Sequence, residues 1–369
     1  MLIVIYILFF IFCFIGFRFY STGYNNDYLS KSQCNAVKGF FIILVFLSHI
    51  NQYILKSGYR PSSLGDEVYF HITSTVGQLM VVVFLFFSGY GIMESYKIRG
   101  SSYLSTMPQK RILVTLLNFD VAVLFFFLLN IILGKSMTLS QVLLSFIAWD
   151  SLGNSNWYIF CILLCYSVAY IALTISSNQN RAILLVFCLC VIAMITLSFF
   201  KGSWWYNTML CFPLGMLFSK MKSKVDSFIP SIYIVILVSL TFLFFVFRNC
   251  SLSLCGLTYN IESMCYALII VLLMMKMKSN NKFLQWMGQM LFPLYIYQRL
   301  MMIAIFESSG GIIFIATYPM AFILICFVAV VLIANLYPRW QISIQNDWIL
   351  CGKNRQYTIR YGKCDSSSL

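Results

Sequence analysis

A lysine and a histidine eleven positions apart, Lys38 and His49, are the residues of this sequence best suited to chemistry. The run between them, Gly39 to Ser48, is apolar but for its last residue. On an α-helix, eleven steps rise ~16 Å and complete three turns plus ~20°, so both side chains share a face. Lys38 then lies at the edge of an apolar span and His49 near its middle. An ammonium at that edge can hold a phosphate, and an imidazole at that depth can take a proton. The structural alternative is an imidazole hydrogen-bonded to a neighbouring helix, with a lysine that only follows the bias of positive charge toward the cytoplasm. His71, the one other histidine, falls in an expected outer loop.

Three further groups carry polar side chains within or beside apolar segments. Phe86-Phe87-Ser88-Gly89-Tyr90-Gly91 ends an aromatic stretch; its small residues allow close helix approach, and Ser88 and Tyr90 are candidates to line a site. Glu94 lies near Lys97 and Arg99, where an ion pair is expected. Lys110 and Arg111 open the next apolar segment and form, with Lys97 and Arg99, an expected basic rim for phosphates of a coenzyme or of lipids. In Tyr295-Ile-Tyr-Gln298-Arg299, Tyr295 shares a helical face with both Gln298 and Arg299. Arg299 is deep enough to grip a polar acceptor unless it snorkels outward. Asp120, beside Asn118 in mid-segment, is expected to be protonated or paired, and Glu262 to sit near an outer edge.

The elements that position these residues follow from composition. Only 10% of the 369 residues are charged and 61% are apolar. A soluble domain carries about 25% charged residues, so lipid must be the solvent for most of this chain. The expected fold is all-α: a polytopic transmembrane bundle of about eleven helices. Segments near the ~20 residues a membrane helix needs are 2–19, 39–55, 76–96, 112–133, 157–175, 182–200, 204–218, 229–247, 261–277, 284–306 and 312–334. Segment 204–218 is short and interrupted by Pro213, and 141–149 is too short to cross. Residues 2–19 lack a basic n-region and a small-x-small site, so they read as a retained helix rather than a signal peptide. The expected division is 1–30 as an extra helix and linker, 31–334 as the core, and 335–369 as a polar tail.

The net charge of +14 suits cytoplasmic loops of a membrane protein better than nucleic-acid binding. Nineteen of the 25 basic residues fall in one set of loops plus the tail. That bias predicts the N-terminus outside and the C-terminus in the cytoplasm. Trp157, Trp204 and Trp205 then fall at outer helix ends, where aromatic belts lie. The 13 cysteines show no metal-ligand spacing and read as packing residues.

These segments together resemble the integral-membrane acyltransferases of family 3. The likeness rests on Lys38 followed by His49, on Phe86-Phe87-Ser88-Gly89-Tyr90, on Trp157-Tyr158, on Phe212-Pro213-Leu214-Gly215-Met216 and on Phe292-Pro293-Leu294-Tyr295-Ile296-Tyr297-Gln298-Arg299. It covers about residues 31–334. Three features depart from the family pattern: the extra segment 2–19, Lys38 in place of Arg, and Val114 where the second Arg of an Arg-x-x-Arg would follow Arg111. The resemblance implies transfer of an acyl group, acetyl by default, from cytoplasmic acyl-CoA to a hydroxyl of a cell-envelope or capsular sugar. It implies acetyl-CoA as donor substrate, no metal, and a site in the plasma membrane. His49 would act as base or as transient acyl carrier. Lys38, Lys110 and Arg111 would hold the coenzyme, Ser88 and Tyr90 would shape the site, and Gln298 and Arg299 would hold the acceptor. Two rival readings remain at this point. A transporter or flippase would need charges facing a midplane cavity, and an assembly subunit would tolerate change at Lys38 and His49.

Overall fold

In a computed structural model, residues 2–250 and 256–353 are described, the side chains of 75 and 338–353 lying outside the description. The elements in chain order are α1 (Ile3–Phe14), β1 (Phe17–Phe19), α2 (Lys31–Lys56), α3 (Leu64–Val76), α4 (Leu79–Arg99) and α5 (Ser101–Met107). A π-helical turn (Pro108–Leu113) leads into α6 (Val114–Ile132), α7 (Leu139–Phe146), α8 (Trp157–Ile175), α9 (Gln179–Ser198) and α10 (Cys211–Arg248). Then follow α11 (Leu257–Lys276), β2 (Met277–Ser279), α12 (Lys282–Gln289), α13 (Leu291–Phe306), α14 (Gly311–Thr317) and α15 (Pro319–Lys353). Side-chain caps start several of them: the oxygens of Ser30, Thr138 and Asn281 accept from the backbone N–H three residues on, which satisfies one of the unpaired donors of a first turn.

Among the described residues, eight helical stretches are long and apolar enough to cross a bilayer, or nine with the pair α12 and α13, which bends by 79° at Met290. The sequence suggested one helix over 284–306; the bend instead turns the start of α13 inward, and it proves central to the site. Helix α10 holds two of the expected spans. A straight helix of its 38 residues would be ~57 Å long. Yet Leu210 N donates to Asn260 Oδ1 at 2.9 Å, while Arg248 pairs with Glu262 at 2.7 Å, only half a turn further along α11. The chain therefore doubles back inside α10. It does so at Ile232, whose φ of −131° leaves the helical region just after Pro230.

Segment 2–19 is not one helix. Twelve residues form α1, ~18 Å long against a hydrocarbon core of ~30 Å. Gly16 then takes a φ of +74°, open to glycine at little cost, and turns the chain into β1, which pairs antiparallel with β2. Still, α1 runs between the two ends of the bundle. Leu2 N donates to Asp66 Oδ1 at one end, and Phe12 O accepts from Asn281 Nδ2 near the other. Counting the two arms of α10 separately adds one pass to these nine among the described residues, and α1 is too short to add a full span. Helix α15 continues unbroken past the expected end of the core at 334 to Lys353, and residues 354–369 of the expected tail lie outside the described residues.

Two helix pairs touch backbone to backbone through glycine. A Cβ at Gly39 would stand 1.9 Å from Leu284 O, and one at Gly288 would stand 1.9 Å from Asn35 O, so α2 and α12 meet by mutual glycines. Likewise, a Cβ at Gly89 would stand 2.0 Å from Phe212 O and one at Gly215 2.0 Å from Phe86 O, which joins α4 to α10. Without a hydrophobic force between helices in lipid, such close contact is a main source of cohesion. It also fixes α2 and α4 against the rest of the site.

Candidate functional site

Helix α2 carries a polar stripe along one face. Lys31, Asn35 and Lys38 line one cavity, and Val45, Ser48, His49 and Gln52 line a second one further along. The spacing is that of a single helical face. Lys38 and His49 thus lie on one face of α2 and open into different chambers.

The first chamber, at the end of the bundle that holds Lys31 and the β-ribbon, has a volume of about 620 Å³. Lys31, Lys38, Lys110 and Arg111 line it, with Asn35, Ser88 and Asn118 as further polar groups. No carboxylate is among its lining residues. Four cations around a partly enclosed, low-dielectric space focus a positive field and attract anions. Lys110 and Arg111 are adjacent in sequence and both reach the chamber from the π-helical turn that breaks the regular helix there. Lys38 Nζ also lies 5.8 Å above the Phe87 ring, an orientation that adds a cation–π attraction. The bend at Met290 presents the start of α13 to the same chamber. That helix end has no side-chain cap, so its dipole and free N–H groups add to the positive field.

The second chamber is smaller, about 240 Å³, and is lined by Ser48, His49, Gln52, Gln78, Trp157, Trp204 and Tyr295 among others. Tyr295 lines both chambers. Its ring packs 5.2 Å from that of Tyr158, itself a wall of the basic chamber, and 6.4 Å from that of His49. Tyr295 is the partition between them. The Nδ1 of His49, the hydroxyl of Tyr295 and the Oε1 of Gln298 are buried, and the Gln298 side chain stands within hydrogen-bonding reach of the imidazole. The Tyr295 hydroxyl has no partner among the described residues, which for a buried polar atom costs about 1–3 kcal/mol. Gln298 and Arg299 lie close enough to act electrostatically on the imidazole. Gln298 Nε2 donates to Tyr295 O at 3.0 Å, which ties it to the partition. Arg299 Nε donates to Tyr53 OH at 3.3 Å, and the guanidinium stands 5.6 Å over the Tyr53 ring.

Not every expected residue meets a chamber. Lys38, Lys110, Arg111 and Ser88 come together in the first and His49 lies in the second, while Tyr90, Gln298 and Arg299 line neither. Tyr90 is two residues from Ser88 and so points away from it, with Glu94, Cys34 and Asp226 near enough to act on it electrostatically. Lys97 leaves the expected rim to pair with Glu94 at 2.8 Å and to bond Ser219 O, and Arg99 lies over Tyr103 at 4.7 Å. Glu262 is not at an exposed edge: it is buried and held by Arg248. Asp120 is half-buried, and its Oδ1 has no partner.

Sequence reasoning gave Trp204 only to an interfacial belt and Trp157 only to that belt and to a family motif, and it left out Gln52 and Gln78 although both lie inside expected spans. Gln78 Nε2 donates to Trp204 O at 2.9 Å, so the far mouth of the His49 chamber is held by a bond between residues distant in sequence. Beside it Lys201 Nζ stands over Trp149 and Trp205 at 4.2 and 4.5 Å. Burial there lowers its pKa from the usual lysine value, and Asp150 acts in the opposite direction.

A family model described as an acyltransferase domain matches residues 31–337, from the first residue of α2 into α15, and omits α1 and β1. No curated protein and no solved structure matches the chain.

Proposed function

Because the chain belongs to acyltransferase family 3 and is built as a polytopic membrane bundle, we propose that it moves an acyl group, acetyl by default, from acyl-CoA to a hydroxyl of a cell-envelope or capsular sugar. Membership in this family sets transfer above the transport and scaffold readings. The basic chamber faces the cytoplasm in this reading, as the charge bias of the loops suggests, with the N-terminus outside and the C-terminus inside the cell. The membrane is then the plasma membrane.

Acyl-CoA enters from the basic end. Lys31, Lys38, Lys110, Arg111 and the start of α13 bind its phosphates, and the thioester arm extends along α2 toward Tyr295. The acceptor enters through the opposite mouth, between Trp157, Trp204 and Gln78. His49 removes the hydroxyl proton as the oxygen attacks the thioester carbonyl carbon. The carbon–sulfur bond breaks, the coenzyme leaves as a thiolate, and the imidazolium returns a proton to it. The products are the sugar ester and free coenzyme A. Gln298 and Arg299 act from behind the partition: Gln298 fixes Tyr295 and Arg299 tunes the electrostatics around the imidazole. A positioned acid–base group of this kind contributes ~10²–10⁴-fold in rate.

One observation carries this reading: a single side chain, Tyr295, walls both the cationic chamber and the imidazole chamber. Two separate cavities without a shared wall would suit transport or packing equally well. The test is turnover of purified protein in nanodiscs, with radiolabelled acetyl-CoA and total envelope glycans as acceptor. Label in the glycan fraction, lost on mild alkali, is expected; label remaining entirely in acetyl-CoA contradicts the proposal.

A further inference from the structure

Tyr295 is 2% exposed, and its hydroxyl, at the partition between the two chambers, bonds to no group among the described residues. Phenylalanine has the same shape less one oxygen and would fill the wall without leaving a buried polar atom unpaired. Packing therefore gives no reason for a phenol here; a molecule held in a chamber does. The ring is fixed before any such molecule arrives. Gln298 Nε2 donates to Tyr295 O, and the Tyr158 ring meets the Tyr295 ring at 61° with centroids 5.2 Å apart.

Depth along the basic chamber selects the same residue. Helix α8 runs toward the basic end from Tyr158 to Tyr166, a rise of ~12 Å, and Arg111 acts electrostatically on Tyr166. On α4, Ser88 is within hydrogen-bonding reach of Tyr166, and Phe84 lies one turn deeper, with its ring 6.2 Å from that of Tyr158. The deep end is thus made by Phe84, Tyr158, Ile159 and Tyr295, none of them charged. Phe84 and Ile159 have no hydrogen-bond donor to offer on their side chains. Of the residues around the two chambers only Tyr295 is common to both, and its ring centroid lies 6.4 Å from that of His49.

We propose that the Tyr295 hydroxyl is a second catalytic group: it donates a hydrogen bond to the carbonyl oxygen of the bound thioester and stabilises the negative charge that this oxygen gains under attack. The inference rests on the acyl-transfer reading above. As His49 takes the acceptor's proton, the new carbon–oxygen bond forms and the carbonyl π pair moves onto oxygen. The Tyr295 O–H donates to that oxyanion and keeps its own proton. The pair then returns, the carbon–sulfur bond breaks, and the thiolate takes the proton from the imidazolium. A fixed donor aimed at developing charge in a site closed to water is worth far more than the same bond in water. Arg299 acts electrostatically on both rings and so adds positive potential at the same point.

Steady-state kinetics of Tyr295→Phe, in nanodiscs with acetyl-CoA and envelope glycans, test this. The expected result is a kcat lower by about 10²–10³-fold, the usual effect of deleting one oxyanion donor. KM for acetyl-CoA and the melting temperature are expected to stay at the wild-type values, because the hydroxyl bonds nothing in the unliganded protein. Incorporation of 3-fluorotyrosine at position 295 keeps a donor of nearly the same size and is expected to restore transfer. A role in packing alone predicts neither the loss in kcat at constant KM nor the rescue. Wild-type turnover that Tyr295→Phe retains in full overturns this inference and leaves the acyl-transfer reading standing, as does a change confined to KM. Absence of transfer by the wild type is a different result, and it defeats that reading and this inference together.

Discussion

The imidazole of His49 and the phenol of Tyr295 border the same small chamber with ring centroids 6.4 Å apart, and among the described residues the Tyr295 hydroxyl has no hydrogen-bond partner. Tyr295 has a second exposure, to the cationic chamber on its other side. In the proposed reaction the pair marks where a donor bound at the basic end and an acceptor bound at the far end come nearest.

A partition that can be removed gives the first prediction. Tyr295→Ala joins the chambers and admits water to the thioester, so coenzyme A release is expected to exceed ester formation several-fold. Tyr295→Phe keeps the wall and deletes a hydroxyl that has no partner, so coupling should stay near one to one and thermal stability should not fall. Parallel assays of free thiol and of labelled glycan measure the ratio. A Tyr295→Ala enzyme that remains fully coupled removes the partition role.

The cations of the first chamber act on donor binding. Lys110→Gln with Arg111→Gln should raise KM for acetyl-CoA about tenfold or more and change kcat far less, because both residues touch the field around the phosphates rather than the reacting carbon. The wild-type KM should also rise with salt more steeply than that of the variant, since screening removes what the variant already lacks. An unchanged KM at low salt counts against coenzyme binding there.

Gly89 and Gly215 predict a contrast in expression rather than in rate. Gly215→Val or Gly89→Val drives a side chain into a backbone carbonyl at 2.0 Å, where neither rotamer change nor small shifts give room. Overpacking of this kind costs typically 1–3 kcal/mol or more, so little folded protein should reach the membrane. Gly91→Ala, two residues from Gly89 and with nothing within 4 Å of its Cβ, should accumulate normally. Fluorescence-detected size exclusion of tagged variants separates the two outcomes.

The membrane architecture was legible because apolar length and the bias of Lys and Arg are properties of single segments. So was the shared face of Lys38 and His49, which follows from helical periodicity alone. What lay beyond reach depends on tertiary geometry. Tyr295 becomes a partition only through the 79° bend at Met290, and no residue type marks that bend unambiguously, although Gly288 and Pro293 flank it. Glu262 reads as an edge residue until α10 folds back and brings Arg248 to it. Tyr90 stood beside Ser88 in the sequence, yet two residues on a helix point in opposed directions, and only Ser88 meets the chamber. Trp204 fitted an aromatic belt so well that its place in the His49 chamber left no separate signal, and the motif Trp157-Tyr158 marked a helix start without showing that Trp157 lines that chamber.

The most direct test of the whole account is the acyl transfer rate of His49→Ala, measured on protein shown by quantitative blot to be present in the membrane at the wild-type level. The account predicts a loss of at least ~10²-fold in transfer to the acceptor, with acetyl-CoA still bound, since Lys38, Lys110 and Arg111 are untouched. Transfer at the wild-type rate by that variant contradicts it.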